Sequence, residues 1–267
     1  MAATAAAEPP PPPGANPTSC HPNAQHPYPV ILVHGTFENR FDNWGELSPE
    51  LASLGYCVYA LDYGANQYTA GTFYGLAHVA ASADQLATYV QQVLAATRAN
   101  KVDIVGHSQG GMMPRYYINF DGGDSKVNTL VGLAPSNHGT TLNGLFILAS
   151  YFPGASDLVL SDCPACREQE AGSSFITHLN AIGETRPDVN YTVIESDNDE
   201  VVTPYTSAFL SGPAVTNIDL QQQCPLDGSE HLATPFDHVA LRDVLNALDP
   251  KKAAAPECGL VLPIIGG

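Results

Sequence analysis

The sequence predicts a doubly wound α/β domain, and two features carry that expectation. Short continuous runs of β-branched and apolar residues alternate with spacers of helix length, and several spacers hold one apolar stripe. Runs apolar on both faces are what the strands of a mostly parallel sheet look like when helices cover both sides. In order they are Val30 to Val33, Cys57 to Leu61, Val102 to Val105, Leu130 to Leu133, Tyr191 to Ile194 and Val215 to Leu220.

The spacers supply the helices. Ser48 before Pro49 offers a capping hydroxyl and a first-turn proline, and Gly55 offers a stop, so a short helix is expected between them. Leu86, Val90, Val93 and Leu94 recur at helical spacing and predict a helix ending near Asn100; the stretch from Val239 through Leu245 to Leu248 predicts another. The chain before Cys20 differs in kind. It is rich in Ala and Pro, and its run from Pro9 to Pro13 favours polyproline II with no core to join. Residues 1–19 are therefore expected to form a disordered tail, and 20–267 one folded domain.

Composition bounds the partners. With 267 residues, 44% of them apolar, the chain can bury a real core. No stretch approaches the roughly 18 to 20 continuous apolar residues that span a bilayer. Ten basic against twenty-seven acidic residues give a net charge of −17, which repels phosphate backbones and anionic headgroups, so nucleic acid is not an expected partner. Only 14% of residues are charged, which leaves an uncharged polar surface suited to a neutral ligand. The six cysteines suggest an exported, disulfide-bonded chain in a secreted, extracellular setting. Met1 to Pro13 lack the basic and apolar regions of a signal peptide and read as a mature segment behind a start methionine. Cys163 and Cys166 form a CxxC without the second half of a four-ligand zinc site, so a local disulfide is expected ahead of free thiols or a redox or metal role.

Chemistry enters between the run ending at Val105 and a helix beginning near Gln109, where Gly106-His107-Ser108-Gln109-Gly110 forms a GxSxG pentapeptide. Glycines flanking Ser108 allow a sharp turn from strand to helix, which holds the hydroxyl at the carboxyl end of the sheet and at a helix N-terminus. Ser108 is the expected nucleophile.

With Pro29 to Thr36, Gly106 to Met113, Asp199 to Tyr205 and Ser229 to Leu232 in that order, the chain resembles the α/β-hydrolase superfamily. Within it, the chain is similar to secreted actinobacterial triacylglycerol lipases of the class 2 type, from Cys20 to Pro250. The resemblance implies an α/β-hydrolase fold with a small cap or lid insertion and a lipase or esterase acting on carboxylic esters of acylglycerols. The alternatives left open are a cutinase-like polyester hydrolase or thioesterase on the same triad, and a catalytically silent binding module.

A serine needs a base and a group to hold that base, and this fold places them in the order Ser, acid, His. Beyond Ile194, Glu195, Asp197, Asp199 and Glu200 all compete for the acid; Asp199 matches the family, with Asp197 its main rival. Among nine histidines, His138 precedes the acid and breaks chain order, and His107 beside the nucleophile cannot easily swing to its hydroxyl. His231 is preferred to His238 because it lies in a loop and because the resemblance supports it. The backbone amides of Thr36 and Gln109 are the expected oxyanion donors. On that footing Gln109→Ala should keep much of the activity. No cofactor or metal is required, with a structural calcium left open. The expected partner is a neutral lipid ester at a lipid–water interface, met by a monomer without a transmembrane segment.

Residues Leu142 to Phe152 form an apolar segment where the fold inserts its cap, and a lid or acyl-binding wall is expected within about 139–171. Met112, Met113, Tyr116 and Tyr117 read as core packing of the helix after the nucleophile. Cys20 and Cys57 sit near the first two strands and suit a clip; Cys224 and Cys258 would then tie the His231 loop to the C-terminal tail, as the resemblance also implies. Leu260 to Ile265 are too short for an anchor and are expected to lie against the body.

Overall fold

A computed structural model describes residues 8–66, 69 and 71–263. The elements run β1 (Val30–Val33), α1 (Leu47–Ser53), β2 (Val58–Leu61), α2 (Val79–Thr97), β3 (Val102–His107), α3 (Gln109–Phe120) and β4 (Val127–Leu133). There follow α4 (Leu142–Ser150), α5 (Leu158–Ser161), α6 (Pro164–Glu168), α7 (Ser174–Ala181), β5 (Asn190–Glu195), β6 (Val215–Asp219), α8 (Leu220–Gln223) and α9 (His238–Leu248). All six expected strands are present, and they make one parallel sheet in the order β2-β1-β3-β4-β5-β6.

Alternation along the strands explains the two helical layers. Ile31, Val33, Tyr59 and Leu61 point to one face, where Leu86 and Val90 of α2 and Met112 and Met113 of α3 complete a buried cluster. Val30, Leu32, Val58 and Ala60 point to the other, against Leu47 and Leu51 of α1 and Val239 and Val244 of α9. The strands β1 and β2 are therefore apolar throughout, because each face meets helices. Strand order reverses between β1 and β3, which opens a crevice beyond their carboxyl ends. The loop after β1 and the turn after β3 meet there.

Three details differ from expectation. Ser48 does not cap α1: its hydroxyl donates to the Pro13 carbonyl (2.8 Å), and Glu46 stands at the cap without a side-chain bond. Helix α2 ends at Thr97, where Arg98 takes a left-handed conformation, rather than near Asn100. The described part of the expected tail, from Glu8 onward, is docked. The Asn16 side chain exchanges two 2.8 Å hydrogen bonds with the backbone of Ala60, and Arg40 donates to the Pro9 carbonyl (2.6 Å). Composition hid this because β2 is an edge strand: its unpaired backbone groups take a short extended segment as a cover whatever that segment's apolar content. Residues 1–7 lie outside the described residues.

The disulfides join Cys20 to Cys57, Cys163 to Cys166 and Cys224 to Cys258. At the C-terminal end Val261 is buried against Asp227, whereas Leu260 and Leu262 are exposed, and Ile264 and Ile265 lie outside the described residues. Among the described residues no helix is long and apolar enough to cross a membrane.

Candidate active site

Ser108 occupies the turn between β3 and α3 with φ +54° and ψ −123°, a region a non-glycine residue enters only when its surroundings over-determine it. The surroundings here are glycines. A Cβ at Gly106 would overlap the Gly110 carbonyl, and one at Gly110 would overlap the carbonyls of Val33 and His34. Strand and helix can cross this closely only without those carbons. The loop after β1 lies alongside, since a Cβ on Gly35 would sit 3.0 Å from that of Ser108.

The carboxylate and the histidine expected to complete the site lie beyond the same carboxyl end of the parallel sheet, on its β5 side. Asp199, in the loop after β5, accepts hydrogen bonds on Oδ1 from the Val201 and Val202 amides (2.7 Å each), which fixes its carboxylate. Its Oδ2 lies 2.7 Å from His231 Nδ1, and both side chains are fully buried. The opposite nitrogen, His231 Nε2, is buried with no hydrogen-bond partner, which leaves it free to accept a proton. Burial works against a charged His231 imidazole, but the charges of Asp199, Glu38 and Glu200 and the bond to Asp199 outweigh it, so the group titrates above its ordinary value.

The rival residues are placed elsewhere. Asp197 is exposed. Glu195 is wholly buried behind Asp199, and burial together with the Asp199 charge pushes its carboxyl well above the carboxylate range. Glu200 accepts a hydrogen bond from the Tyr151 hydroxyl (2.9 Å). His238 reaches the Glu257 carbonyl (3.0 Å), and His138 lies between the Ser207 carbonyl and Glu184.

Thr36 is buried and its Oγ1 has two amide donors: Gln109 Nε2 at 2.7 Å and Gln169 Nε2 at 2.9 Å. Each amide also donates to a carbonyl, Gly75 and Ala165 respectively, which fixes which end is nitrogen. Both lone pairs of the hydroxyl oxygen are thus occupied, and its own hydrogen is left to donate outward. The sequence marked Gln109 only for its backbone. Its side chain proves to be a strut of the β1 loop, so the expectation that Gln109→Ala would be mild is revised to a substantial loss. Gln169 was not singled out at all, because 133 residues separate it from Thr36.

The expected cap divides in two. Helix α6 is bolted to the body: Ala165 N–H donates to the Leu76 carbonyl (3.2 Å), and the Glu168 carboxylate accepts the Val79 amide at the start of α2 (2.7 Å). The preceding stretch buries Leu145, Leu148, Ala149, Ala155 and Val159 in the core and turns its other side outward. Phe152 packs against Phe37 with ring centroids 6.0 Å apart, Tyr151 bonds to Glu200, and Leu142, Tyr151 and Leu160 expose apolar surface. Met112, Met113 and Tyr117 are buried in the core, as expected of packing residues of this helix, whereas Tyr116 is half-buried against it. Among the described residues no group of three or more His, Cys, Asp or Glu side chains is arranged to hold a metal ion.

A parallel sheet of this order, with a serine on a strained turn after its third strand, defines an α/β-hydrolase fold. The lipase B of Aspergillus fumigatus has the same fold, with a TM-score of 0.73 and 24% identity over 95% of this chain and 61% of that one. The model of the class 2 lipases matches residues 27–241, and the chain belongs to that family. It is 43% identical over 94 residues to triacylglycerol lipases of Pseudarthrobacter phenanthrenivorans and Burkholderia plantarii, 33% of this chain in both cases. These matches span 27% and 24% of those two proteins, about a quarter of their length. Lipase B of Pseudozyma antarctica is 26% identical over 249 residues, 88% of this chain and 64% of that one.

Proposed function

We propose that the protein is a secreted serine lipase that hydrolyses carboxylic esters of acylglycerols through Ser108, His231 and Asp199. The observation that carries the reading is the buried 2.7 Å pair of Asp199 and His231, whose second nitrogen is unpartnered at the end of the sheet that also presents Ser108. Ser108 attacks the ester carbonyl while His231 Nε2 accepts its proton. Asp199 holds Nδ1–H and stabilises the imidazolium. The negative oxygen of the tetrahedral intermediate takes the amides of Thr36 and Gln109, and the Thr36 hydroxyl supplies a third donor. The imidazolium then protonates the leaving alcohol, and water repeats the sequence on the acyl-enzyme.

Family membership and relatives that are triacylglycerol lipases support acylglycerols as the substrate class; three disulfides support export. Turnover on emulsified triolein and tributyrin should exceed that on polyester film or acyl thioesters. A preference for film or thioester would overturn the substrate assignment.

Ser108, Thr36, Gln109 and His231 are all buried, which fits a site that a neighbouring segment covers. The segment 142–161 is assigned that role, with its exposed leucines meeting the lipid. Tyr151→Phe removes its tie to Glu200 and is expected to raise hydrolysis of a dissolved short-chain ester roughly threefold to tenfold. It should also shrink the rise in rate at the ester's solubility limit. Unchanged rates below and above that limit would sink the latch.

Hydrolysis requires neutral His231. Because its pKa is raised above 6.5, kcat/KM should fall as the pH drops through a midpoint above that value. A midpoint at pH 5 would contradict the assigned base.

A further inference from the structure

Glu38 and His107 belong neither to the triad nor to the oxyanion donors, yet they are 6% and 0% exposed and lie directly behind both. His107 Nδ1 is 2.9 Å from Glu38 Oε2, and His107 Nε2 is 3.0 Å from the main-chain carbonyl oxygen of His231. A carboxylate and a carbonyl both accept, so the ring satisfies the two contacts at once only with a hydrogen on each nitrogen, as an imidazolium. Asn43 agrees once its amide is turned: its nitrogen stands 3.1 Å from Nδ1 while its oxygen has no partner, and exchanging the two gives the protonated ring a second acceptor. The same Glu38 Oε2 accepts the Gly35 amide at 2.7 Å. Burial opposes the Glu38 charge, but His107, His34 and the Gly35 amide outweigh it and hold the carboxyl below its ordinary value.

We infer that the buried Glu38–His107 ion pair is a positioning device that keeps three catalytic segments in register. It holds the oxyanion loop through the Gly35 amide, the nucleophile turn because His107 immediately precedes Ser108, and the base loop through the carbonyl of His231. The inference rests on the triad reading. A neutral ring has a single N–H, so discharging His107 releases either Glu38 or His231. An error of an ångström in the base then suffices to slow the chemistry without altering how the ester binds.

The test uses His107→Gln, Glu38→Gln and the double variant in the full chain, with kcat and KM for a soluble nitrophenyl ester measured across pH. Each single variant should lose kcat by roughly tenfold to a hundredfold with KM within about twofold. The double variant should lose no more than the worse single, because the pair acts as one unit. The groups that raise the His231 imidazole are the carboxylates of Asp199, Glu38 and Glu200, and the His107 ring, charged in this inference, lies beside it with ring centroids 4.9 Å apart. Removing that cation in His107→Gln should move the acidic limb to higher pH, whereas Glu38→Gln should not move it upward. General loosening of the fold would not separate the two limbs in this way. If a single variant fails to fold, the double variant, which buries no lone charge, gives the reading. Folded His107→Gln or double variant with wild-type kcat and acidic limb overturns the inference while leaving the triad intact. Wild-type protein that a fluorophosphonate does not label at Ser108 overturns the triad reading and the inference with it.

Discussion

Asp199→Asn is expected to lower kcat about 10⁴-fold, the loss typical of a triad whose acid becomes an amide. The cause lies in the fixed orientation of the side chain. Oδ1 accepts the Val201 and Val202 amides, so an asparagine keeps its oxygen on that side and turns its nitrogen toward His231 Nδ1. An N–H facing Nδ1 demands that Nδ1 be unprotonated, which places the ring hydrogen on Nε2. That tautomer cannot take a proton from Ser108. KM should change little, since Asp199 lies away from the substrate. Asp197→Asn is the matched comparison: its side chain is exposed, and kcat should stay within about twofold of wild type. Equal losses in the two variants would remove Asp199 from its assigned place.

Thr36→Val should cost roughly a hundredfold to a thousandfold in kcat, the scale of one oxyanion donor or about 2.7–4 kcal/mol. Valine keeps the shape and the backbone amide while deleting the hydroxyl. It also strands the Gln169 amide hydrogen and one of the contacts of Gln109, so part of the loss comes through the loop. Thr36→Ser separates the two effects. It restores acceptor and donor together and should return most of the rate; a serine variant as slow as the valine variant would show that the γ-methyl, not the hydroxyl, is what matters.

The sheet was legible in the sequence because its physics is local. Val30 to Val33 are apolar at every position, a pattern that only a strand covered on both faces sustains, and Val102 to Val105 keep it at every position but Asp103. The turn at Ser108 was legible for a similar reason, since glycine is required at Gly106 and Gly110 by backbone contacts within a few residues and with the neighbouring strand. What distinguishes Asp199 from Asp197 and Glu200 is only partly local. The amides of Val201 and Val202, two and three residues on, orient its carboxylate, but the histidine it meets lies 32 positions later, and composition in this acidic loop offers four candidates.

Glu38, Gln109 and Gln169 show the same limit from the other side. Each is a polar residue in an ordinary loop or helix: tertiary packing brings Gln109 and Gln169 against the loop after β1, and sets Glu38, within that loop, against His107, where an unpaired polar group would be costly. The N-terminal segment was misread because proline and alanine content predicts no core, whereas what docks it is hydrogen bonding of Asn16 to the free edge of β2.

The central claim is that the hydroxyl of residue 108 is activated by the histidine at 231. It is tested most directly by incubating the protein with a fluorophosphonate probe and mapping the modified peptide. The account predicts one adduct, on Ser108, forming at least a hundredfold more slowly in folded His231→Ala and absent in Ser108→Ala. An adduct on another serine, or labelling of Ser108 at an undiminished rate in His231→Ala, would contradict it.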